Sequence, residues 1–413
     1  MDNEYIVSLG RAAKAASTEI SRASTAQKNS ALEAIARLLV EHSNEITAAN
    51  KLDLEYAAAK GIPAPMLDRL KLDDKRIAGI ADSLSELIQL ADPVGSGSRT
   101  TRPNGLVIEN IRVPLGVVAI IYEARPNVTV DAAALCIKTG NACILRGGSE
   151  AINTNRALTG LMRDALCSVG LPADSVALVN DTTRESATAL MKLRGYIDLL
   201  VPRGGAGLIR SVVENAEVPV IETGAGNCHV YIDESADLDM AIKVTLNAKL
   251  SRPSVCNAIE TLLVHKNIAA QFLPAFKSAL THELVIRGCE RTREIIDCEA
   301  ADESDWATEY DDYILAVRVV DSLDEAIAHI SRYSTKHSEA IITRSMESAD
   351  RFRSEIDAAA VYVNASTRFT DGGEFGFGAE LGISTQKLHA RGPMGLDALT
   401  TNKYLVTGSG QIR

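Results

Sequence analysis

The stretch Ala142-Cys143-Ile144-Leu145-Arg146-Gly147-Gly148-Ser149 is the strongest indication of the fold class, because an apolar run of strand length ends in a paired-glycine turn. A helical pattern follows it over residues 151–168. The same design recurs at 197–201, whose apolar run enters the turn Pro202-Arg203-Gly204-Gly205-Ala206-Gly207 and another helical stretch. Strands that alternate with helices in this way predict βαβ units and a parallel, doubly wound sheet.

The rest of the chain extends this alternation in both directions. Further short strands are predicted at 117–121, 176–179 and 218–221, and a second alternating block runs from 228 to 363. The first ninety residues have helical apolar spacing, with Ser24 or Thr25 as a candidate cap. We expect an α/β protein with a nucleotide-binding domain (1–96 and 116–224), a catalytic domain (225–385) and a β-ribbon oligomerisation arm (97–115 and 398–413).

Composition excludes several classes of protein. Of 413 residues, 46% are hydrophobic and 23% are charged, which is typical of a globular chain. The net charge is −11 and no basic run is present, so nucleic-acid binding is not expected. No apolar stretch is long enough for a bilayer, and the acidic start Met1-Asp2 does not resemble a signal peptide, so we expect a cytoplasmic protein. Seven dispersed cysteines predict neither a disulfide framework nor a structural metal.

The two glycine turns are candidate phosphate sites. Paired glycines let backbone N–H groups approach a ligand, and a helix N-terminus favours an anion there. Arg146 and Arg203 add a guanidinium to each turn, which suits phosphate oxygens. Two ordinary βα turns with surface arginines are the alternative, because the strict dinucleotide fingerprint is missing.

Two further residues are candidates for catalysis. Cys256 lies in Ser251-Arg252-Pro253-Ser254-Val255-Cys256-Asn257, just before an apolar strand, where a thiol can face a cleft. Glu222 ends the predicted strand at 218–221, the place where a base can sit. Taken alone, the pattern around Cys256 favours a buried structural cysteine, and exposed turn glutamates are common.

The order of three segments resembles the aldehyde dehydrogenase superfamily. Glu222-Thr223-Gly224-Ala225-Gly226-Asn227 and the acidic turn at 233–239 precede Cys256, as a Glu-Leu-Gly-Gly segment and an Asp-Ala-Asp turn precede the superfamily's nucleophilic cysteine. Segments 114–118, 139–146 and 309–327 are also similar. Within the superfamily, three runs are most similar to the enzymes that reduce glutamyl phosphate to glutamate semialdehyde in proline biosynthesis: 122–129, 252–257 and 364–396.

This resemblance implies roles for particular residues. Cys256 would be the nucleophile, and Asn127 is the nearest amide to the superfamily's oxyanion asparagine. The resemblance places the nucleotide on the two turns and on Glu309, which would contact a ribose. Turn residues so implied are Arg146, Gly147, Gly148, Ser149, Pro202, Arg203, Gly204 and Gly205. Arg146 stands where the superfamily has lysine and favours NADPH through its 2′-phosphate, whereas Glu150 can accept a free 2′-hydroxyl.

The implied substrate is anionic, so cations should line its path in a chain of net charge −11. Arg125 or Arg252 would meet the phosphate, and Arg368 with Ser366 and Thr367 would hold the amino-acid end. Glu222 would orient the thiol or contact the cofactor, because water activated by a base would waste a thioester. A homo-oligomer paired through the β-ribbon is expected, although a solvated hairpin is equally compatible with that pattern. An association with glutamate 5-kinase is a further hypothesis.

Two other functions remain open from the sequence. An aldehyde dehydrogenase that hydrolyses its thioester would use the same cysteine and turns, but without phosphate. A nucleotide-binding scaffold with an inert thiol would keep its function after Cys256→Ser.

Overall fold

The structure is a computed structural model that describes residues 3–123 and 125–413, so Met1, Asp2 and Ala124 of the motifs above lie outside it. The chain divides into two compact units. Unit 1 comprises Met1–Thr223, Gly376–Gly382 and Met394–Arg413, and unit 2 comprises Gly224–Phe375 and Ile383–Pro393.

The α-helices of the described residues are α1 (Asn3–Ile20), α2 (Thr25–Glu41), α3 (Ser43–Ala59), α4 (Ala64–Leu70), α5 (Asp74–Gln89), α6 (Pro126–Lys138), α7 (Ile152–Ser168), α8 (Arg184–Met191), α9 (Ala206–Asn215), α10 (Leu238–Leu250), α11 (Lys266–Ser278), α12 (Glu290–Arg293), α13 (Leu323–Tyr333) and α14 (Met346–Glu355). Their strands are β1 (Gly97–Thr101), β2 (Val107–Pro114), β3 (Val117–Tyr122), β4 (Ala142–Arg146), β5 (Val176–Leu178), β6 (Leu199–Arg203), β7 (Cys228–Ile232), β8 (Ile259–His265), β9 (Val285–Gly288), β10 (Glu299–Ala300), β11 (Ile314–Val320), β12 (Ser338–Ile342), β13 (Ala360–Val363), β14 (Ile383–Ser384), β15 (Gly392–Pro393) and β16 (Thr400–Thr407). No described helix is both long and apolar enough to span a membrane.

The N-terminal helices form as their pattern predicts. Ser24 caps α2 in a capping box with Gln27, which satisfies two backbone N–H groups at the helix start. Leu32, Ile35 and Leu39 recur at helical spacing and are fully buried. The predicted cap and helical region are therefore confirmed.

Unit 1 contains a four-stranded parallel sheet in the order β5-β4-β3-β6. The register pairs Ile121 with Arg146 and Tyr122 with Arg203, so the carboxyl ends of three strands lie at one edge. The strand residues are almost wholly buried, because helices cover a parallel sheet on both faces. Both glycine turns therefore follow neighbouring strand ends at the edge where such sheets bind ligands.

One strand prediction is wrong. Residues 218–221 form only an isolated parallel bridge between Leu200 and Val220. Pro219 accepts a hydrogen bond from the Leu200 N–H (2.8 Å), but its own nitrogen has no hydrogen to donate. The segment is extended beside β6, with Val218 and Ile221 buried and Pro219 exposed, and it does not become a regular strand.

Unit 2 contains a seven-stranded parallel sheet in the order β10-β9-β11-β8-β7-β12-β13. A large apolar cluster on one side of it includes Phe272 and Phe276 of α11, and a smaller cluster includes Phe352 of α14. The second alternating block predicted from the sequence is thus confirmed as a second parallel sheet with helices packed against it. Sequence reasoning missed α14, β9 and β10.

A small antiparallel sheet, β1-β2-β16, belongs to unit 1. Its pairing of β2 with β16 runs from Pro114 opposite Thr400 to Val107 opposite Thr407. Strands β1, β2 and β16 lie within the segments 97–115 and 398–413 that the sequence predicts as a β-ribbon. Tyr404 and Val406 on β16 are 65% and 59% exposed, which leaves apolar surface on this ribbon.

Candidate functional site

The turn after β4 has no room for a Cβ at Gly147, and at Gly148 a Cβ would displace the Glu150 carboxylate. A Cβ at Gly147 would lie 2.2 Å from Asn155 Nδ2, and one at Gly148 would lie 2.0 Å from Glu150 Oε1. Any side chain here would collide with polar groups that already approach the backbone. Ser149 follows directly and starts the short helical turn before α7.

The Arg146 guanidinium is fixed by the loop after β5. Its Nη2 donates to the carbonyl oxygens of Thr182 (2.7 Å) and Thr183 (2.8 Å), while its buried Nε has no partner among the described residues. Burial lowers the pKa of Arg146, and the carboxylates of Glu150 and Asp181 oppose that shift. A fixed, incompletely bonded cation beside a glycine turn can bind an anion.

A buried polar network supports this turn from below. The Tyr122 hydroxyl and Thr129 Oγ1 are 2.7 Å apart, and Thr129 Oγ1 donates to Asn155 Oδ1 at 2.8 Å. Asn155 Nδ2 is buried and has no partner in the described part of the chain, although it points at Gly147. An orphaned donor under a Cβ-free backbone fits the phosphate groups of a nucleotide.

The turn after β6 holds a carboxylate. Glu123 Oε2 accepts a hydrogen bond from the Gly205 N–H (2.9 Å), and a Cβ at Gly204 would lie 2.4 Å from the same oxygen. Arg203 ends β6, and its Nη1 lies 3.1 Å from where Gly382 would carry a Cβ. Gly382 has φ +141°, a conformation that favours glycine.

The motif at 122–129 continues into α6. Pro126 starts that helix, a position that needs no N–H donor, and Arg125 just before it is exposed. Asn127 is half-buried, and its Nδ2 donates to Asp131 Oδ2 (3.1 Å). Burial raises the pKa of Asp131 to about 6, against the lowering effects of Asn127 and Arg203. The candidate oxyanion amide thus lies in unit 1 and contacts a carboxyl group.

The Cys256 loop connects α10 to β8 in unit 2. The Cys256 carbonyl oxygen faces Gly226, where a Cβ would lie only 1.6 Å away. The buried Cys228 thiol donates to the same oxygen at 3.2 Å. The backbone of the candidate nucleophile is therefore fixed from the β7 side, while Cys256 itself is only half-buried.

Asn257 joins this loop to the segment after β13. Its Oδ1 accepts a hydrogen bond from Arg368 Nη1, and its Nδ2 donates to the Thr370 carbonyl at 2.9 Å. Thr367 Oγ1 donates to the Asn257 carbonyl at 2.7 Å. Ser366 Oγ accepts the Arg368 N–H at 3.2 Å. Side chains more than a hundred residues apart in sequence are thereby placed around the cysteine.

Two arginines, Arg252 and Arg368, lie in this neighbourhood together with the carboxylates of Asp371 and Glu374. Burial lowers the pKa of Arg368, the like charge of Arg252 lowers it further, and Asp371 and Cys256 act in the opposite direction. Arg368 Nε also donates to Ser251 Oγ at 3.0 Å. Cations that face a thiol favour its thiolate, which is the reactive form.

The two candidate glutamates differ in what they contact. Glu309 Oε1 accepts the Gly226 N–H at 2.6 Å, so it bonds the residue that abuts the Cys256 carbonyl. Burial raises the pKa of Glu309, while the Gly226 hydrogen bond and Lys249 lower it. Glu222 is half-buried at the end of the extended segment beside β6, in unit 1.

Sequence reasoning missed a buried ion pair near this site. Lys249 Nζ lies 2.5 Å from Glu260 Oε2, and both side chains are essentially unexposed. Burial raises the pKa of Glu260 and lowers that of Lys249. The sequence does show a lysine (Lys249) in a helical stretch and a glutamate (Glu260) in a strand stretch that are otherwise apolar, which indicates buried charges. Their spacing, however, gives no reason to pair them.

The fold and the cysteine site define an aldehyde-dehydrogenase type of protein, and comparison with known families agrees. Residues 1–293 match the model of the aldehyde dehydrogenase family. A protein of Clostridium perfringens is 59% identical over the full length of both chains, and one of Moorella thermoacetica is 60% identical over 98% of this chain and 97% of its own. Both are named gamma-glutamyl phosphate reductase.

A solved structure supports the same assignment. The crystal structure of gamma-glutamyl phosphate reductase from Thermotoga maritima matches with a TM-score of 0.97 and 50% identity, over 99% of each chain. The chain therefore belongs to the aldehyde dehydrogenase family and, within it, to the gamma-glutamyl phosphate reductases. The resemblance and the fold class predicted from the sequence are confirmed.

Proposed function

We propose that this chain reduces gamma-glutamyl phosphate to glutamate semialdehyde and inorganic phosphate, as a step of proline biosynthesis, with Cys256 as the nucleophile. One observation carries the proposal: the half-buried Cys256 lies beside the Arg368 guanidinium, which bonds the very next residue, Asn257. A reactive thiol and an anion-binding cation are both needed to attack an acyl phosphate. Both are present in one loop cluster of unit 2.

The first step belongs to Cys256. Its thiolate sulfur attacks the acyl carbon, the bond from that carbon to the phosphate oxygen breaks, and inorganic phosphate leaves with the electron pair. A thioester to Cys256 remains, so one difficult displacement becomes two easier ones. Arg252, or Arg125, stabilises the departing phosphate charge in this proposal.

The second step returns the thiol. Family membership implies a nicotinamide cofactor, which supplies a hydride to the thioester carbonyl carbon when it is bound. The carbon–sulfur bond then breaks, Cys256 leaves as thiolate, and the aldehyde is released. The Gly226 contact and the Cys228 thiol keep the backbone of Cys256 fixed through both steps.

We propose NADPH as the cofactor, held by the two glycine turns. The residues assigned to it are Arg146, Gly147, Gly148, Ser149, Pro202, Arg203, Gly204 and Gly205. The incompletely bonded Arg146 supports a 2′-phosphate partner, because its positive charge attracts a phosphate that a carboxylate at this position would repel. Glu150 lies against Gly148 and opposes this preference in part.

The remaining candidates are assigned supporting roles. Glu309 contacts a ribose, and its hydrogen bond to Gly226 links that contact to the nucleophile loop. Glu222 orients the thiol or contacts the cofactor, and Asn127 donates to the developing oxyanion. Ser366, Thr367 and Arg368 hold the amino-acid end of the substrate.

The proposal extends to assembly and location. The antiparallel ribbon of β1, β2 and β16, with exposed Tyr404 and Val406, supports pairing between copies of the chain. Residues 97–115 and 398–413 are therefore assigned to an oligomerisation arm. We further propose a cytoplasmic enzyme that receives its labile acyl phosphate from glutamate 5-kinase.

The test is a phosphate-dependent NADP⁺ reduction assay with glutamate semialdehyde. Wild-type protein should need phosphate, and Cys256→Ser should lose at least ~10³-fold in turnover while still binding NADPH, because a hydroxyl is a poor nucleophile without a strong base. Cys289→Ser is the matched control, since Cys289 is also a half-buried free thiol of unit 2.

Turnover without phosphate would instead indicate a hydrolysing dehydrogenase. Full activity of Cys256→Ser would contradict the nucleophile assignment.

A further inference from the structure

The carboxylate of Glu123 lies directly on the glycine turn after β6. Its Oε2 accepts the Gly205 N–H at 2.9 Å and lies 2.4 Å from the position of a Cβ on Gly204. Its backbone is fixed as well, because the Glu123 N–H donates to the Arg203 carbonyl at 3.2 Å. The side chain thus fills the space above the turn from which α9 begins.

That space is suited to one anion. The Gly205 N–H belongs to the residue just before α9, where the helix dipole favours negative charge. Glu123 is exposed, and no ion pair of the described residues involves it. Its carboxylate is therefore bonded to the turn amide without an ion-pair partner among the described residues.

We propose that Glu123 is an affinity-determining residue that occupies a nucleotide-phosphate position and must leave when the cofactor binds. The inference rests on the proposed function, in which this turn receives the cofactor. A carboxylate and a phosphate oxygen cannot both accept the Gly205 N–H, and their like charges repel at short range. Because Glu123 is exposed and makes one side-chain hydrogen bond to the turn, it can rotate into solvent.

The charge can be tested separately from the shape. Glu123→Gln keeps an oxygen that accepts the Gly205 N–H but removes the negative charge. The dissociation constant of NADPH, measured by calorimetry on the full chain at low salt, should fall on the order of tenfold. Salt should narrow the difference between variant and wild type, because it screens the repulsion that the variant lacks.

Matched variants make the result specific. Glu214→Gln removes the same charge from the exposed carboxyl-terminal part of α9 and should change the dissociation constant less than twofold. Glu123→Ala also removes the hydrogen bond and should bind NADPH at least as tightly as Glu123→Gln. Glu123→Ala therefore replaces Glu123→Gln in the test if the glutamine variant folds poorly.

The outcomes separate this inference from the proposed function. If wild-type protein binds NADPH but Glu123→Gln and Glu123→Ala bind it equally or more weakly, Glu123 is a structural cap or a cofactor ligand and the inference is overturned. If wild-type protein binds no nicotinamide nucleotide, the cofactor assignment and this inference both fail. Tighter, salt-sensitive binding by both variants supports the inference whatever the turnover assay gives.

Discussion

The glycine turns of unit 1 and the cysteine loop of unit 2 are positioned in different ways. Each turn lies directly between a strand and the helix after it, so its backbone is placed by consecutive elements, although Glu123 contacts the second turn from 82 residues away. The cysteine loop is held by Arg368 and Thr367, which follow it by more than a hundred residues. The backbone of the turns is thus encoded by local sequence, whereas the contacts around Cys256 are long-range.

Among variants that keep Cys256 itself, the largest effect should come from removing the long-range cation Arg368. Arg368→Gln removes the charge beside Cys256 and weakens the bonds to Asn257 and Ser251, so kcat/KM for glutamate semialdehyde and phosphate should fall roughly 10- to 100-fold, as for a lost charge-assisted hydrogen bond. Alkylation of Cys256 by iodoacetamide near pH 7 should slow as well, because the thiolate fraction falls.

Peptide mass spectrometry can follow that alkylation. Arg353→Gln is the control, because Arg353 is an exposed arginine that pairs with Asp350 on α14. If Arg368→Gln changed the KM alone and left the alkylation rate of Cys256 as in the wild type, Arg368 would act only on the substrate. The long-range contacts would then position the substrate without changing the ionisation of the Cys256 thiol.

The same contrast explains what the sequence could predict. The turns, the parallel strands and the capped helix α2 were all recognisable, because each depends on a pattern within about twenty residues. The approach of Gly226 to the Cys256 carbonyl and the pairing of Lys249 with Glu260 were not, since no local spacing connects these residues. The segment at 218–221 was misread because Pro219 lies in an otherwise apolar run.

A variant of the glycine turn should weaken cofactor binding and leave the reactivity of Cys256 unchanged, in contrast to Arg368→Gln. Gly147→Ala would place a Cβ 2.2 Å from Asn155 Nδ2, which displaces the network below the turn. The dissociation constant of NADPH should rise about tenfold, as expected for the loss of about 1.4 kcal/mol, while alkylation of Cys256 stays at the wild-type rate.

Gly160→Ala on α7 is the matched control, because nothing lies within 4 Å of its added Cβ. Equal cofactor affinity in Gly147→Ala would argue against a nucleotide at this turn. A simultaneous loss of Cys256 reactivity would show that the two regions are coupled rather than independently built.

The smallest effect concerns pH and unit 1. Asp131 on α6 has its pKa raised from 3.8 to about 6 by burial, so the folded state binds more protons than the unfolded state between these values. Its contribution to the free energy of unfolding therefore decreases as pH rises from about 4 to about 6.

Between pH 5 and pH 7.5 the wild type should lose on the order of 1 kcal/mol that Asp131→Asn does not lose. Urea midpoints at the two pH values measure this, with Asp164→Asn, an exposed site on α7, expected to keep the wild-type slope. If stability changed with pH in Asp131→Asn as it does in the wild type, the Asn127 and Arg203 contacts would keep this carboxylate ionised. Asp131 would then add nothing to the pH dependence of the stability of unit 1.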